Sequence, residues 1–404
     1  MQSNDLQTQA HEQWANRPAD ERFRTLTELA DSREAAWGTT EDAEVPAGSI
    51  TAHVTAAGTL AVAGERTGLV TPTSWSFEQV ANLAGAPSEY LRKLTNQQVA
   101  DLLNYGIEQE LGKVPMRRGR ILTVRGGDDP TLLSLVSKKY ERVGDHILAR
   151  WAQRELVEQR GFLNPWARAE AWGVGAIDQD WAEPFDLSDP RMNYLINVPS
   201  GTMVAPSGLY AGDRDMFCFL IDPEKTIDDG GGNALHRGVL FGNSAVGARK
   251  LWIRTFLFAA VCGNHFIWGA QEGEQVDLRH IGNVQETWQA LFAAAVDMLG
   301  ASSQEDEELI RKARTTVLGG DGVEPVEHAY RLSMNARTWL RKKQLSEAHS
   351  IAKAHTDRYG DPDTLWAMVN GLTQLSQAQT IASKRTEIDA GAGALMLAGV
   401  EHSS

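Results

Sequence analysis

The sequence predicts an α+β protein, a strand-rich mixed core with packed helices followed by a helical C-terminal region. Three observations carry that prediction. Short runs rich in Val, Thr, Ile and Phe alternate with glycine-marked turns from about residue 48 to 283, which is strand patterning. Two helix starts with capping-box spacing are set among them, and beyond Asn283 the apolar residues recur at helical intervals.

Residues 1–47 read as a polar helical lead-in anchored by Trp14 and Trp37. The core, 48–283, opens with "TAHVTAAGTLAVAG" and "TGLVTPT", the pattern of two strands punctuated by glycine. Ser76 with Gln79, and Thr95 with Gln98, stand three residues apart ahead of apolar helical runs, so each pair predicts a helix start. "RGRILTVRG" and "LLSLVSKKYERV" predict two strands joined by the turn "GDDP", and Asp145 predicts a cap on the helix "HILARWAQRELVEQR". Further strands are expected at "RMNYLINVP", "MFCFLID" and "GVLFGN". Residues 284–384 form the helical C-terminal region, and the glycine-rich 385–404 is expected to be a flexible tail.

Composition narrows the function. The chain has 404 residues, 42% hydrophobic and 23% charged, which suits a globular protein with a sizeable core. It contains no apolar run long enough for a membrane span and no charged-then-apolar leader, so a cytoplasmic location without membrane partners is expected. Its two cysteines, Cys218 and Cys262, exclude a disulfide framework and a zinc cage made of cysteine alone.

The formal net charge of −14 argues against general nucleic-acid stickiness but permits a local cationic groove. Residues 113–142 hold eight cations, Lys113, Arg117, Arg118, Arg120, Arg125, Lys138, Lys139 and Arg142, against Asp128, Asp129 and Glu141. From Gly230 to Gln271 there is no carboxylate at all, while Arg237, Arg249, Lys250 and Arg254 are present. A third patch comprises Arg331, Arg337, Arg341, Lys342 and Lys343.

Catalytic signatures are sparse. Cys262 and His265 form a C-x-x-H without a second ligand pair, which favours a core cysteine and histidine over zinc. Asp213, Asp215 and Asp222 are candidate ligands for Mg²⁺ in a nuclease-like site, weighed against a simpler reading as turn residues. No G-x-S-x-G elbow, P-loop or dinucleotide fingerprint occurs, so no cofactor is expected. Single strands are held by a cationic track together with flat side chains on which bases stack. That combination singles out Arg118, Arg120, Arg125, Lys138, Lys139, Arg249, Lys250 and Arg254 as phosphate contacts, with Tyr140 and Trp252 as stacking platforms. The competing reading places those aromatics in the core and the cations on a solvated face.

Five stretches in order carry a family resemblance: "GLVTPTSWSFEQVANLAGAPSEYLRKL", "LLSLVSKKYERVGDHIL", "LYAGDRDMFCFLID", "HRGVLFGNSAVGARKLWIRTFLFAAVCGNH" and the helices that follow. Over about 66–380 the chain resembles the phage- and plasmid-associated family called domain of unknown function nine hundred and thirty-two. The resemblance implies mobile-element cargo in a bacterial cytoplasm. A fainter similarity, to the single-strand-annealing recombinase superfamily, implies rings or filaments that hold DNA along a basic groove. It carries over no binding residue. The expected function is therefore a non-enzymatic, oligomeric protein that binds single-stranded DNA and promotes annealing or recombination. A metal-dependent nuclease on the three aspartates and a protein-interaction factor are the alternatives. Charge reversal at Arg249 with Lys250 is expected to abolish DNA contact without unfolding the chain.

Overall fold

The structure, a computed structural model, describes residues 21–111, 119–163, 209–228, 234–259, 264–268, 275–377 and 382–402, apart from 24, 302, 321 and 339. Its elements confirm the α+β class. In chain order they begin with β1 (Arg22–Phe23), α1 (Leu26–Gly38), β2 (Thr40–Pro46), β3 (Thr51–Val54), β4 (Leu60–Gly64) and β5 (Thr67–Pro72). Next come α2 (Ser74–Leu83), α3 (Ser88–Leu91), α4 (Asn96–Leu111), β6 (Gly119–Arg125), β7 (Thr131–Ser137) and α5 (Asp145–Ala152), which runs on into a π-helical turn. The second half opens with β8 (Leu209–Ala211), β9 (Met216–Asp228), β10 (Ala234–Asn243), β11 (Leu251–Ala259), β12 (Asn264–Trp268) and β13 (Gln275–Leu278). It closes with the helices α6 (Val284–Ala301), α7 (Ser303–Thr315), α8 (Pro325–Asn335), α9 (Lys342–Ala354), α10 (Thr356–Tyr359), α11 (Leu365–Gln377) and α12 (Ala382–His402).

Two sheets organise the strands. One has the order β1-β8-β9-β10-β11-β12, with β13 pairing the other half of the same β11 edge, and all its pairings are antiparallel. The other has the order β2-β6-β7-β5-β4-β3, with one parallel pairing, β5 beside β7. Antiparallel ladders of this kind bury one face against helices. The larger sheet does so with α1, α5 and α6 through Leu148, Trp151, Phe241, Ile253, Trp288 and Phe292. On the smaller sheet, Val62, Leu122 and Leu132 pack with Val80, Leu103 and Ile107 of α2 and α4. A third cluster joins the C-terminal helices to Ile227 and Leu235 at the far ends of β9 and β10.

Several boundaries differ from the expectations. Residues 22–46 are not a separate lead-in, because β1 and β2 each join a sheet and α1 packs into the main core. The first strand-rich run makes two strands and "TGLVTPT" a third. Thr73, not Ser76, caps α2, its Oγ1 accepting from Ser76 N at 3.1 Å. The expected strand "RMNYLINVP" lies outside the described residues. The expected flexible tail is instead the long helix α12, with Ile388, Leu395 and Met396 in the core. Its glycines act as contact points: a Cβ on Gly391 would come within 2.9 Å of Leu340 and one on Gly399 within 2.5 Å of Leu365. The composition that suggested looseness therefore serves close helix packing.

At α4 the capping box is formed in full, Thr95 N donating to Gln98 Oε1 (3.0 Å) and Gln98 N to Thr95 Oγ1 (3.3 Å). Thr95→Ala removes the acceptor for one helix-end N–H and is expected to cost about 1 kcal/mol in urea unfolding. An unchanged midpoint would mean that α4 is fixed by its packing alone.

Candidate nucleic-acid interface

The first two basic patches, about a hundred residues apart in sequence, meet in space. Three structural details bring them together. The chain leaving β10 is tied into a knot by Ser244, whose Oγ donates to Arg214 O (2.7 Å) and accepts from Val246 N (3.3 Å) and Ala248 N (2.9 Å). Gly247 then takes φ +85°, a left-handed value that glycine adopts freely, and a Cβ there would come within 3.1 Å of Val136. Onto this knot the first patch docks: Tyr140 donates its hydroxyl to Ser244 O (2.6 Å) and Arg142 Nε donates to Ala245 O (3.3 Å). From the smaller sheet's side, Trp75 Nε1 (3.0 Å) and Gln79 Nε2 (2.9 Å) both donate to Val246 O. The two sheets are thus joined at 244–248.

Around that junction most of the selected cations have a carboxylate partner. Arg125 Nη1 donates to both oxygens of Asp213, Arg249 Nε lies 3.3 Å from Asp215, and Lys138 pairs with Glu44. Lys250 and Arg254 share Asp277, at 3.5 and 3.1 Å. Arg120 is half-buried and Lys139 exposed, while Arg118 lies outside the described residues. Burial pulls the Arg254 guanidinium below its ordinary value, against the attraction of Asp277.

Of the two aromatic candidates Trp252 is buried, against the stacking role expected of it, while Tyr140 is half-buried. Trp252 is 5% exposed, set against Phe217 and beneath the Arg254 guanidinium (4.7 Å). Tyr140 stacks on His280 at 4.8 Å, and burial pushes its hydroxyl above the ordinary range. Trp252 therefore sits in the core, and Tyr140 commits its hydroxyl to Ser244 and a stacking contact to His280. Phe256, Phe258, Phe266 and Trp268 contribute backbone to β11 and β12.

The three aspartates do not converge. Asp213 belongs to Arg125, Asp215 is fully buried beside Arg249, and Asp222 accepts from Glu224 N at 3.0 Å. Among the described residues no group of His, Cys, Asp or Glu is placed to hold a metal ion. Cys262 lies outside them, and Cys218 is buried in the larger sheet. The third patch occupies α8, α9 and the turn between them. There Arg331 and Lys342 pair with Glu327, Lys343 pairs with Glu347, and Arg337 takes φ 52° just beyond α8.

A cleft beside the junction was not foreseen from sequence. It opens to solvent around an inner space of about 50 Å³ and is lined by Arg33, Trp37, Arg125, Leu133, Arg142, Asp145 and Asp213, among others. The Arg142 guanidinium lies over the Trp37 ring, 4.0 Å from its centroid, and bonds Asp42 at 2.7 Å. Asp145 forms the buried end: it accepts from Asn243 Nδ2 at 2.7 Å, and burial pushes its carboxyl up to about 6 despite Arg33 and Arg142. Arg142 was visible as part of the first patch. Arg33 gave no signal, because it sits among the carboxylates of α1, and Asp145 read only as a helix cap.

No helix among the described residues is long and apolar enough to cross a membrane. Comparison with known proteins gives no match among family models, curated proteins or solved structures.

Proposed function

We propose that this protein binds single-stranded DNA non-enzymatically and promotes annealing or recombination for a phage or plasmid, acting in the cytoplasm as a homo-oligomer. The observation that supports this reading is the meeting of the first two basic patches at residues 244–248, through Tyr140 and Arg142. It sets Lys138 and Lys139 on a segment docked beside the one that carries Arg249 and Lys250. Exposed lysines with weak or no carboxylate partners lose little by exchanging them for phosphates. Affinity then comes from the release of counterions along the strand and from assembly of protomers on it. Base stacking is not assigned to Trp252, which is buried, nor to Tyr140, which stacks on His280 and bonds Ser244.

Burial decides which cations can be tested. Reversing Arg249 would set two negative charges against each other, because its partner Asp215 is fully buried, and weakened binding would then be confused with unfolding. Lys139 and Lys250 are exposed and suit the purpose better. Lys139→Glu with Lys250→Glu is expected to weaken binding of a dT oligonucleotide at least tenfold, with an unchanged thermal midpoint. In a salt series the logarithmic slope should fall by about 0.7 for each phosphate that the variant no longer neutralises. No binding by the native chain, or a slope indifferent to the lysines, overturns the reading.

A further inference from the structure

The arginine-lined cleft has donor capacity that the fold does not use. Arg33 from α1, Arg125 from the end of β6 and Arg142 from the segment before α5 reach it from three separate elements. Each guanidinium carries five N–H groups in a planar fork, the geometry that suits paired oxygens of a carboxylate or phosphate. Among the described residues Arg125 donates only from Nη1, to both oxygens of Asp213. Arg142 uses Nε and Nη1, on Ala245 O and Asp42, and leaves Nη2. Arg33 Nη1 reaches Asp213 only at 3.9 Å, Nη2 meets Ser32 Oγ at 3.4 Å, and Nε is buried with no acceptor. An unsatisfied guanidinium N–H inside a cleft is costly unless something fills it.

The acceptor now shared by two of the arginines is itself unusual. Asp213 stands on the short connection between β8 and β9, its side chain is 39% exposed, and the structure ties it to the cleft through Arg125 and Arg33. Asp145, by contrast, is fixed at the buried end by Asn243. One carboxylate is therefore part of the wall, while the other has solvent to move into.

We propose that this cleft is a binding site for a phosphate-class oxyanion, and that Asp213 is a built-in competitor occupying its arginines until a phosphate displaces it. The carboxylate offers two oxygens to one nitrogen of Arg125. A phosphate offers three or four and can engage Arg33, Arg125 and Arg142 together, which gives the exchange its direction. Lys139 and Lys250 of the proposed strand contact are not among the residues that line the cleft, and the proposal holds whether the phosphate is free or belongs to a nucleic-acid backbone.

Titration of the full-length protein with inorganic phosphate, and separately with a dT oligonucleotide lacking terminal phosphates, tests this. Asp213→Asn is expected to tighten phosphate binding about tenfold, equivalent to about 1.4 kcal/mol. Arg125→Gln should abolish it, and Arg125→Lys, which keeps the charge but not the fork, should weaken it to an intermediate degree. A plain structural salt bridge predicts the opposite for Asp213→Asn, no gain in binding together with a lower thermal midpoint, and that result overturns the proposal. So does a native chain and an Asp213→Asn variant that both ignore phosphate. Competition separates the sources: phosphate that displaces the oligonucleotide places a strand phosphate in the cleft, whereas phosphate binding without competition assigns it to a free phosphate group. Oligonucleotide binding that survives with no phosphate site sinks this inference and leaves the strand-binding reading standing. A phosphate site with no oligonucleotide binding does the reverse.

Discussion

Asp306→Ala is expected to destabilise the protein by about 3–5 kcal/mol, the range for removing one member of a buried ion pair. Asp306 of α7 meets Arg237 of β10, and their side chains are 8% and 1% exposed. Arg237 sits where the register between β9 and β10 shifts, between His236 and Gly238, so the ladder is already irregular at the point where the charge enters. The pair fastens the C-terminal helices to the end of the larger sheet, beside the apolar contacts of Ile227 and Leu235. Without the carboxylate, the guanidinium remains in a site nearly closed to water. Urea unfolding of the variant should show the destabilisation, and the double variant Arg237→Met with Asp306→Leu should recover most of it, since an apolar pair of similar volume carries no desolvation cost. A double variant no better than Asp306→Ala would mean that the pair fixes the geometry of the junction and not merely its charge balance.

The same pair marks where reading the sequence stops. The run "SSQEDEE" is acidic, and within its own helix Glu308 pairs with Arg311 and Lys312. Asp306 differs because its partner lies 69 residues earlier, a separation that no local periodicity encodes. β6, β7, β9 and β10 were legible as short apolar runs set off by turns, and not by alternation, since Leu132–Val136, Asp215–Asp222 and Leu235–Asn243 are buried without a break. The capping box at Thr95 was legible because its partners are three residues apart. The cationic stretch 249–254 was legible as charge but not as chemistry. Its missing acids stand elsewhere in the chain, with Asp215 and Asp277 supplying what residues 230–271 lack. α12 was misread because alanine and glycine signal looseness in composition, yet permit close approach between helices once a neighbour is present.

Asp145 gives the second large effect, one that depends on pH. Its position at the first turn of α5, where the helix end favours negative charge, and its bond from Asn243 both favour the carboxylate. Burial nevertheless prevails and lifts the group from an ordinary 3.8 to about 6, with Asp215 adding repulsion and Arg33 and Arg142 opposing it. The folded chain consequently holds this proton more tightly than the unfolded chain does, so the group's contribution to stability falls as pH rises from about 3.8 to 6 and is constant above that. At 1.36 kcal/mol per pKa unit, the full cost above pH 6 is about 3 kcal/mol. Asp145→Asn removes the charge at every pH. It keeps an oxygen for Asn243 Nδ2 and supplies an N–H for Asn243 Oδ1, which is buried without a partner. The variant should therefore be more stable than the native chain by about 2–3 kcal/mol in urea unfolding above pH 7, and the gap should close below pH 4. A gap of the same size at both ends would assign the gain to the amide pair and not to the buried charge. A drop in stability would show that Asp145 is held ionised by its two arginines, and that the cleft is less cationic than its lining suggests.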